Sequence, residues 1–129
     1  MKDDKEFIKL AQDAAGNAYA PYSDLNFGAV LLADDGNIFA GVNVENSSYG
    51  LTICAERNAL AAAVAAGYKS FAKLVIFSSL SPPAVPCGAC LQVLAEFCRD
   101  LPIVSANEKG EIKRYSLHEL LPNGFKLGR

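Results

Sequence analysis

The chain has 129 residues, 51% hydrophobic and 20% charged, which excludes intrinsic disorder and gives a single domain, 1–129, an ordinary core without disulfide staples. Lysine and arginine number 12 against 14 acidic residues, a net charge of −2, and they are scattered. No nucleic-acid partner is therefore expected, and a small uncharged ligand is favoured.

The charged opening, Met1-Lys2-Asp3-Asp4-Lys5-Glu6, has no signal-peptide core behind it, and no apolar run approaches the roughly 18–20 residues of a membrane span. No membrane partner and a cytoplasmic location are expected. Phe7, Ile8, Ala11, Ala14, Ala15 and Ala18 mark one face of a first helix, capped by Asp3 or Asp4 and ended by Pro21. Phe27–Ala33 reads as a buried strand, Asp34-Asp35-Gly36-Asn37 as a hairpin turn, and residues 38–44 as the returning strand. A polar loop follows. A helix then starts near Cys54 and runs through an alanine-rich stretch to Gly67.

Residues 74–78 form a short strand. The three prolines of residues 81–86 exclude regular structure there. A helix over residues 87–98, short strands at 103–106 and 112–116, and a small helix at 117–121 complete the order α-β-β-α-β-α-β-β-α. That alternation predicts an α/β fold, a three-layer α-β-α sandwich around a mixed, roughly five-stranded sheet.

The chemistry-bearing residues are few. A single histidine, His118, excludes sites needing two imidazoles, and it reads as a surface or helix-end residue. Neither common phosphate-cradling glycine motif is present. Of four cysteines, Cys54 and the pair Cys87 and Cys90 fall at predicted helix starts, where the helix dipole favours thiolate. Three thiolates leave one tetrahedral position of a zinc ion open, as in catalytic sites. Cys98 lies about two turns beyond Cys90, out of reach of the same ion, and reads as a small buried apolar residue. Glu56 stands two residues from a ligand. A first-turn glutamate commonly does no more than interact with the helix dipole. Next to Cys54, and combined with Pro86-Cys87-Gly88-Ala89-Cys90, it reads as a general acid–base facing a bound water.

These motifs resemble those of the small zinc-dependent cytidine deaminases, the free-nucleoside branch with three cysteines. The resemblance spans nearly the whole chain: Pro21-Tyr22-Ser23, Gly28-Ala29, the run from Gly41 to Asn46, Tyr49, Cys54-Ala55-Glu56-Arg57, Pro86-Cys87-Gly88-Ala89-Cys90 with Gln92, and Leu120-Leu121-Pro122 before Phe125. It implies one zinc per subunit on Cys54, Cys87 and Cys90, and attack of the activated water on carbon 4 of cytosine with Glu56 as proton shuttle. Cytidine and deoxycytidine would yield uridine and deoxyuridine plus ammonia, a pyrimidine-salvage reaction. It further implies that Asn43 and Glu45 hold ribose hydroxyls, that Leu25, Phe27 and Ala55 lie by the base, and that Arg57, helped by Gln92, offsets thiolate charge. Ser47, Tyr49 and Phe125 match positions that reach a neighbouring subunit's site, implying a homotetramer with shared active sites.

Four positions depart from the family pattern. Leu25 stands where relatives usually carry Phe, Leu91 where many carry Arg, and Val85 where Ser is common. Phe27 stands where relatives usually carry a smaller aliphatic residue; it lies on the same side of the chain as Leu25 if strand alternation holds, and is expected to replace part of the missing ring. The competing readings are a structural zinc module, which lacks a placed fourth ligand, and a thioredoxin-like oxidoreductase, which leaves Cys54-Ala55-Glu56 unexplained. A polynucleotide-editing deaminase conflicts with the acidic balance and with Glu45, and a deaminase of another cytosine-like nucleoside is the closest variant.

Overall fold

A computed structural model of the chain describes residues 3–128. The first helix, α1 (Asp4–Ala15), is capped by Asp3, whose carboxylate accepts the Glu6 N–H at 3.1 Å. It buries Phe7, Ala11 and Ala15. It stops at Gly16, well before Pro21. The apolar phase continues to Ala18, but Tyr19 is drawn out of the helix by backbone pairing: its N–H donates to Asn43 and its carbonyl accepts from Glu45, at 3.0 and 2.9 Å. Tertiary pairing thus overrides local periodicity there.

Five strands form one sheet: β1 (Phe27–Ala33), β2 (Ile38–Val42), β3 (Phe71–Ser78), β4 (Pro102–Asn107) and β5 (Ile112–Ser116), in the order β2-β1-β3-β4-β5. The pair β3–β4 is parallel and the rest antiparallel, so the sheet is mixed, as expected. The β1–β2 turn places Gly36 at φ 93°, and the Asp35 carboxylate accepts the Asn37 N–H at 3.0 Å. β2 ends at Val42 rather than 44. Its ladder is continued by Val44, which bridges both Tyr19 and Ile53.

Alternation along β1 sends Val30 to one face and Ala29, Leu31 and Ala33 to the other. The first face is covered by α1. The second is covered by α2 (Ala55–Ala65), α3 (Gly88–Ala95) and α4 (Leu117–Leu120). This is the three-layer α-β-α arrangement. Two glycines let the layers approach. A Cβ on Gly28 would lie 1.9 Å from the Ala11 carbonyl oxygen of α1, and one on Gly41 would lie 2.3 Å from the Ala59 nitrogen of α2.

α3 ends at Ala95 rather than 98, because Phe97 and Cys98 turn in to pack on the core, with Phe97 edge-on to Phe71 at 6.2 Å. Leu91 on α3 is part of the same core, which accounts for an apolar residue at that position. His118 lies exposed on α4 and donates its backbone N–H to Asp100. Among the described residues, no helix is long and apolar enough to cross a membrane.

Candidate active site

Two helices begin at the same point. Cys54 caps α2 and Cys87 caps α3, while Cys90 sits in the first turn of α3. Both helix N-termini therefore aim their partial positive charge at three sulfurs. The Cys54–Cys87 and Cys87–Cys90 Sγ distances are 3.9 and 3.4 Å, and all three atoms lie within 4.8 Å of one another. A tetrahedral zinc with Zn–S near 2.3 Å sets its sulfurs about 3.8 Å apart. The donor set and spacing therefore fit zinc. All four cysteines are free thiols. Burial pushes the Cys98 thiol up to about 11, and its place in the core makes it inert.

The sulfurs compete for negative charge. The Cys90 hydrogen bond, then Arg57 and Cys87, hold the Cys54 thiol down at about 5, while the same Cys54 contact and burial push Cys90 up. One thiolate forms readily on its own; three require a cation in their midst. Arg57 reaches Cys54 Sγ with a guanidinium nitrogen at 3.7 Å. Its Nε is buried without a partner. The guanidinium thus lies where it offsets sulfur charge.

Glu56 is buried in the first turn of α2. Burial, and then the charge of Cys54, raise its carboxyl above the ordinary glutamate value. A carboxyl raised in this way holds a proton more readily than an ordinary glutamate, which suits a group that takes up and gives back a proton. It opens onto a cavity of about 310 Å³, the lower end of the range for small-molecule sites. Phe27, Asn43, Glu45, Thr52, Leu80, Ala84, Val85, Cys54 and Cys87 line it together with Glu56. Leu80, Ala84 and Val85 belong to the loop after β3, which Ser105 and Asn107 of β4 fix by bonds to the Ala84 and Leu80 carbonyls at 2.6 and 2.9 Å. Sequence reading singled out neither Thr52 nor Leu80 and Ala84. The available signal was the strand-loop-helix segment before a parallel strand, since ligands gather at the carboxyl ends of such strands.

The other expected site residues divide. Asn43 and Glu45 face the same cavity. The Asn43 amide, however, is turned on the backbone, with Nδ2 donating to the Leu25 carbonyl at 2.8 Å and Oδ1 accepting the Phe27 N–H at 2.9 Å. Leu25 is half-buried and contributes that carbonyl, while the Phe27 side chain lines the cavity. Ala55 is fully buried at the start of α2. Ser47, Tyr49 and Phe125 are exposed. Ser47 shares a 2.5 Å hydrogen bond with the Tyr22 hydroxyl, and the Tyr22 and Tyr49 rings are tilted at 5.7 Å. Gln92 faces the C-terminal tail rather than the sulfurs: its Nε2 donates to the Phe125 carbonyl at 2.6 Å and its Oε1 accepts the Phe125 N–H at 3.2 Å.

This geometry, three sulfurs at two helix starts beside a buried glutamate, agrees with the comparisons. Residues 1–105 match the model of the cytidine and deoxycytidylate deaminase zinc-binding region, and the chain belongs to that family. It is 44% identical over 124 residues to a cytidine deaminase of Sporosarcina psychrophila, covering 95% of this chain and 91% of that one. It is 49% identical over 119 residues to a probable cytidine deaminase of Dictyostelium discoideum, with 92% and 80% covered. The crystal structure of a Burkholderia pseudomallei cytidine deaminase superposes with a TM-score of 0.93 at 43% identity, covering 96% of this chain and all of that one.

Proposed function

We propose that the chain is a cytidine deaminase, a zinc-dependent hydrolase converting cytidine and deoxycytidine to uridine and deoxyuridine plus ammonia. The observation that carries this reading is the Cys54, Cys87 and Cys90 cluster next to buried Glu56, in a cavity that Asn43, Glu45 and Thr52 also line. Cys54, Cys87 and Cys90 would hold a zinc ion, which would supply Lewis-acid activation of water at neutral pH.

The chain's own groups do the rest. Glu56 takes a proton from the attacking water and gives it to ring nitrogen 3, then passes a second proton to the departing amine. The water oxygen ends as the carbonyl at carbon 4, and ammonia leaves. Arg57 draws charge from Cys54 and keeps the sulfur-rich centre electrophilic. Glu45 accepts from the 3′-hydroxyl, and its negative charge disfavours a phosphate there. Asn43 fixes the 25–27 backbone and offers its remaining N–H and lone pair to the sugar. Phe27 packs against the base and takes over part of the role of the ring absent at Leu25, with Ala55 at the base edge.

We read residues 1–129 as one domain of a cytoplasmic pyrimidine-salvage enzyme that works as a homotetramer with shared active sites. What supports the assembly is the exposure of large apolar side chains: Tyr49 is 74%, Leu51 65% and Phe125 66% exposed. Ser47, Tyr49 and Phe125 would complete a neighbour's site, and Gln92 sets the Phe125 backbone for that role. The test pairs metal analysis with ultraviolet monitoring of cytidine. One zinc per chain and loss of the cytidine absorbance are expected, with activity lost on chelation and regained on adding zinc. Stoichiometric zinc without turnover of any cytosine nucleoside would make the site structural.

A further inference from the structure

Glu45 is held by two consecutive residues far from it in sequence. Its Oε1 accepts the Tyr22 N–H at 3.0 Å and the Ser23 N–H at 3.1 Å, and its Oε2 accepts the Ser23 hydroxyl. Ser23 Oγ in turn accepts the Leu25 N–H at 3.1 Å. Between them Asp24 adopts φ 59°, a left-handed conformation that a residue with a side chain keeps when its surroundings impose it. The far end of the segment is fixed by Asn43 through the Leu25 carbonyl and the Phe27 N–H. The segment carrying Leu25 and Phe27 is therefore pinned to Asn43 and Glu45 of the cavity, and the Ser23 side chain hydrogen-bonds to Glu45 directly.

A carboxylate offers about four lone-pair positions. Three are taken by the loop, which leaves one on Oε2 for a ligand. Because Oε1 is already committed to two backbone donors, the Ser23 hydroxyl decides how Oε2 is turned. These same bonds, the Ser23 hydroxyl first, hold the Glu45 carboxyl below its ordinary range, so it stays an acceptor.

We infer that Ser23 is a positioning residue: its hydroxyl aims the free lone pair of Glu45 at the nucleoside 3′-hydroxyl and thereby sets discrimination between sugars that carry that hydroxyl and sugars that lack it. The inference rests on the reading of Glu45 as the sugar acceptor. The experiment is steady-state kinetics of the zinc-loaded enzyme on cytidine and 3′-deoxycytidine, in the parent chain, Ser23→Ala and Ser23→Thr. The parent should favour cytidine. Ser23→Ala should raise KM for cytidine roughly tenfold, the ratio one charge-assisted hydrogen bond supports, with kcat nearly unchanged. The kcat/KM for 3′-deoxycytidine should stay within about twofold, and Ser23→Thr, which keeps the hydroxyl, should recover most of the loss. If Ser23→Ala does not yield folded protein, Ser23→Cys keeps the size with a weak donor and should show the same selective loss. An equal drop on both sugars would reduce Ser23 to loop support and overturn the inference alone. A parent enzyme that treats the two sugars equally would overturn the Glu45 reading, and the inference with it.

Discussion

Gly41→Ala tests whether the close approach of α2 to the sheet is what brings Cys54 and Glu56 to the site. The new Cβ would sit 2.3 Å from the Ala59 nitrogen and 2.4 Å from the Ala55 carbonyl oxygen, more than 1 Å inside ordinary contact. Both obstacles are backbone, so no side-chain rotation relieves them. The helix must lift or β2 must bend, and either loosens Ala55, Ala59, Leu60 and Ala63 from Ala29 and Leu31. Overpacking of this kind costs about 3 kcal/mol. For a chain of this length that corresponds to an apparent melting temperature lower by roughly 11 °C, at fixed protein and zinc concentration. Ala55 follows the ligand Cys54 directly, so zinc retention during dialysis should fall as well. Gly50→Ala, with nothing within 4 Å of its new Cβ, is the control and should melt like the parent. A Gly41→Ala protein with parental melting and zinc content would refute the packing argument.

Phe27→Val should raise KM for cytidine severalfold with a much smaller effect on kcat, because the residue lines the cavity and has no group that carries a proton; an unchanged KM would remove Phe27 from base binding. Asp4 binds Lys73 at 2.6 Å and Arg114 at 3.2 Å, tying α1 to β3 and β5. The Lys73 bond, then Arg114, hold its carboxyl below the usual value of 3.8. A depressed folded-state value contributes stability that is present above the unfolded value and lost as pH falls through the folded one. The melting gap between parent and Asp4→Asn should therefore be open at pH 6 and close below about pH 4. A gap that widens in acid would contradict the sign.

Much of the site was legible because its chemistry is local. Cys54 with Glu56, and Cys87 with Cys90, are each packed into one helical turn, and each helix start is marked by what precedes it. The alternation of strands and helices gave the three layers for the same reason, since period and turn residues are short-range signals. What escaped were pairings across loops. Ala18 keeps the helical phase, yet Tyr19 leaves the helix to bind Asn43 and Glu45. The family resemblance implied a role for Gln92 beside Arg57, but its side chain is bonded to the Phe125 backbone instead. Ser23 and Glu45 are 22 residues apart, with nothing in either neighbourhood to announce the bond.

The most direct measurement is zinc content and turnover of Glu56→Gln side by side. The amide keeps the size and place of the carboxyl but cannot carry a proton, so one equivalent of zinc should remain while kcat for cytidine falls at least roughly 10²-fold. Parental turnover in the zinc-loaded variant would contradict proton transfer through Glu56, and with it the deamination mechanism.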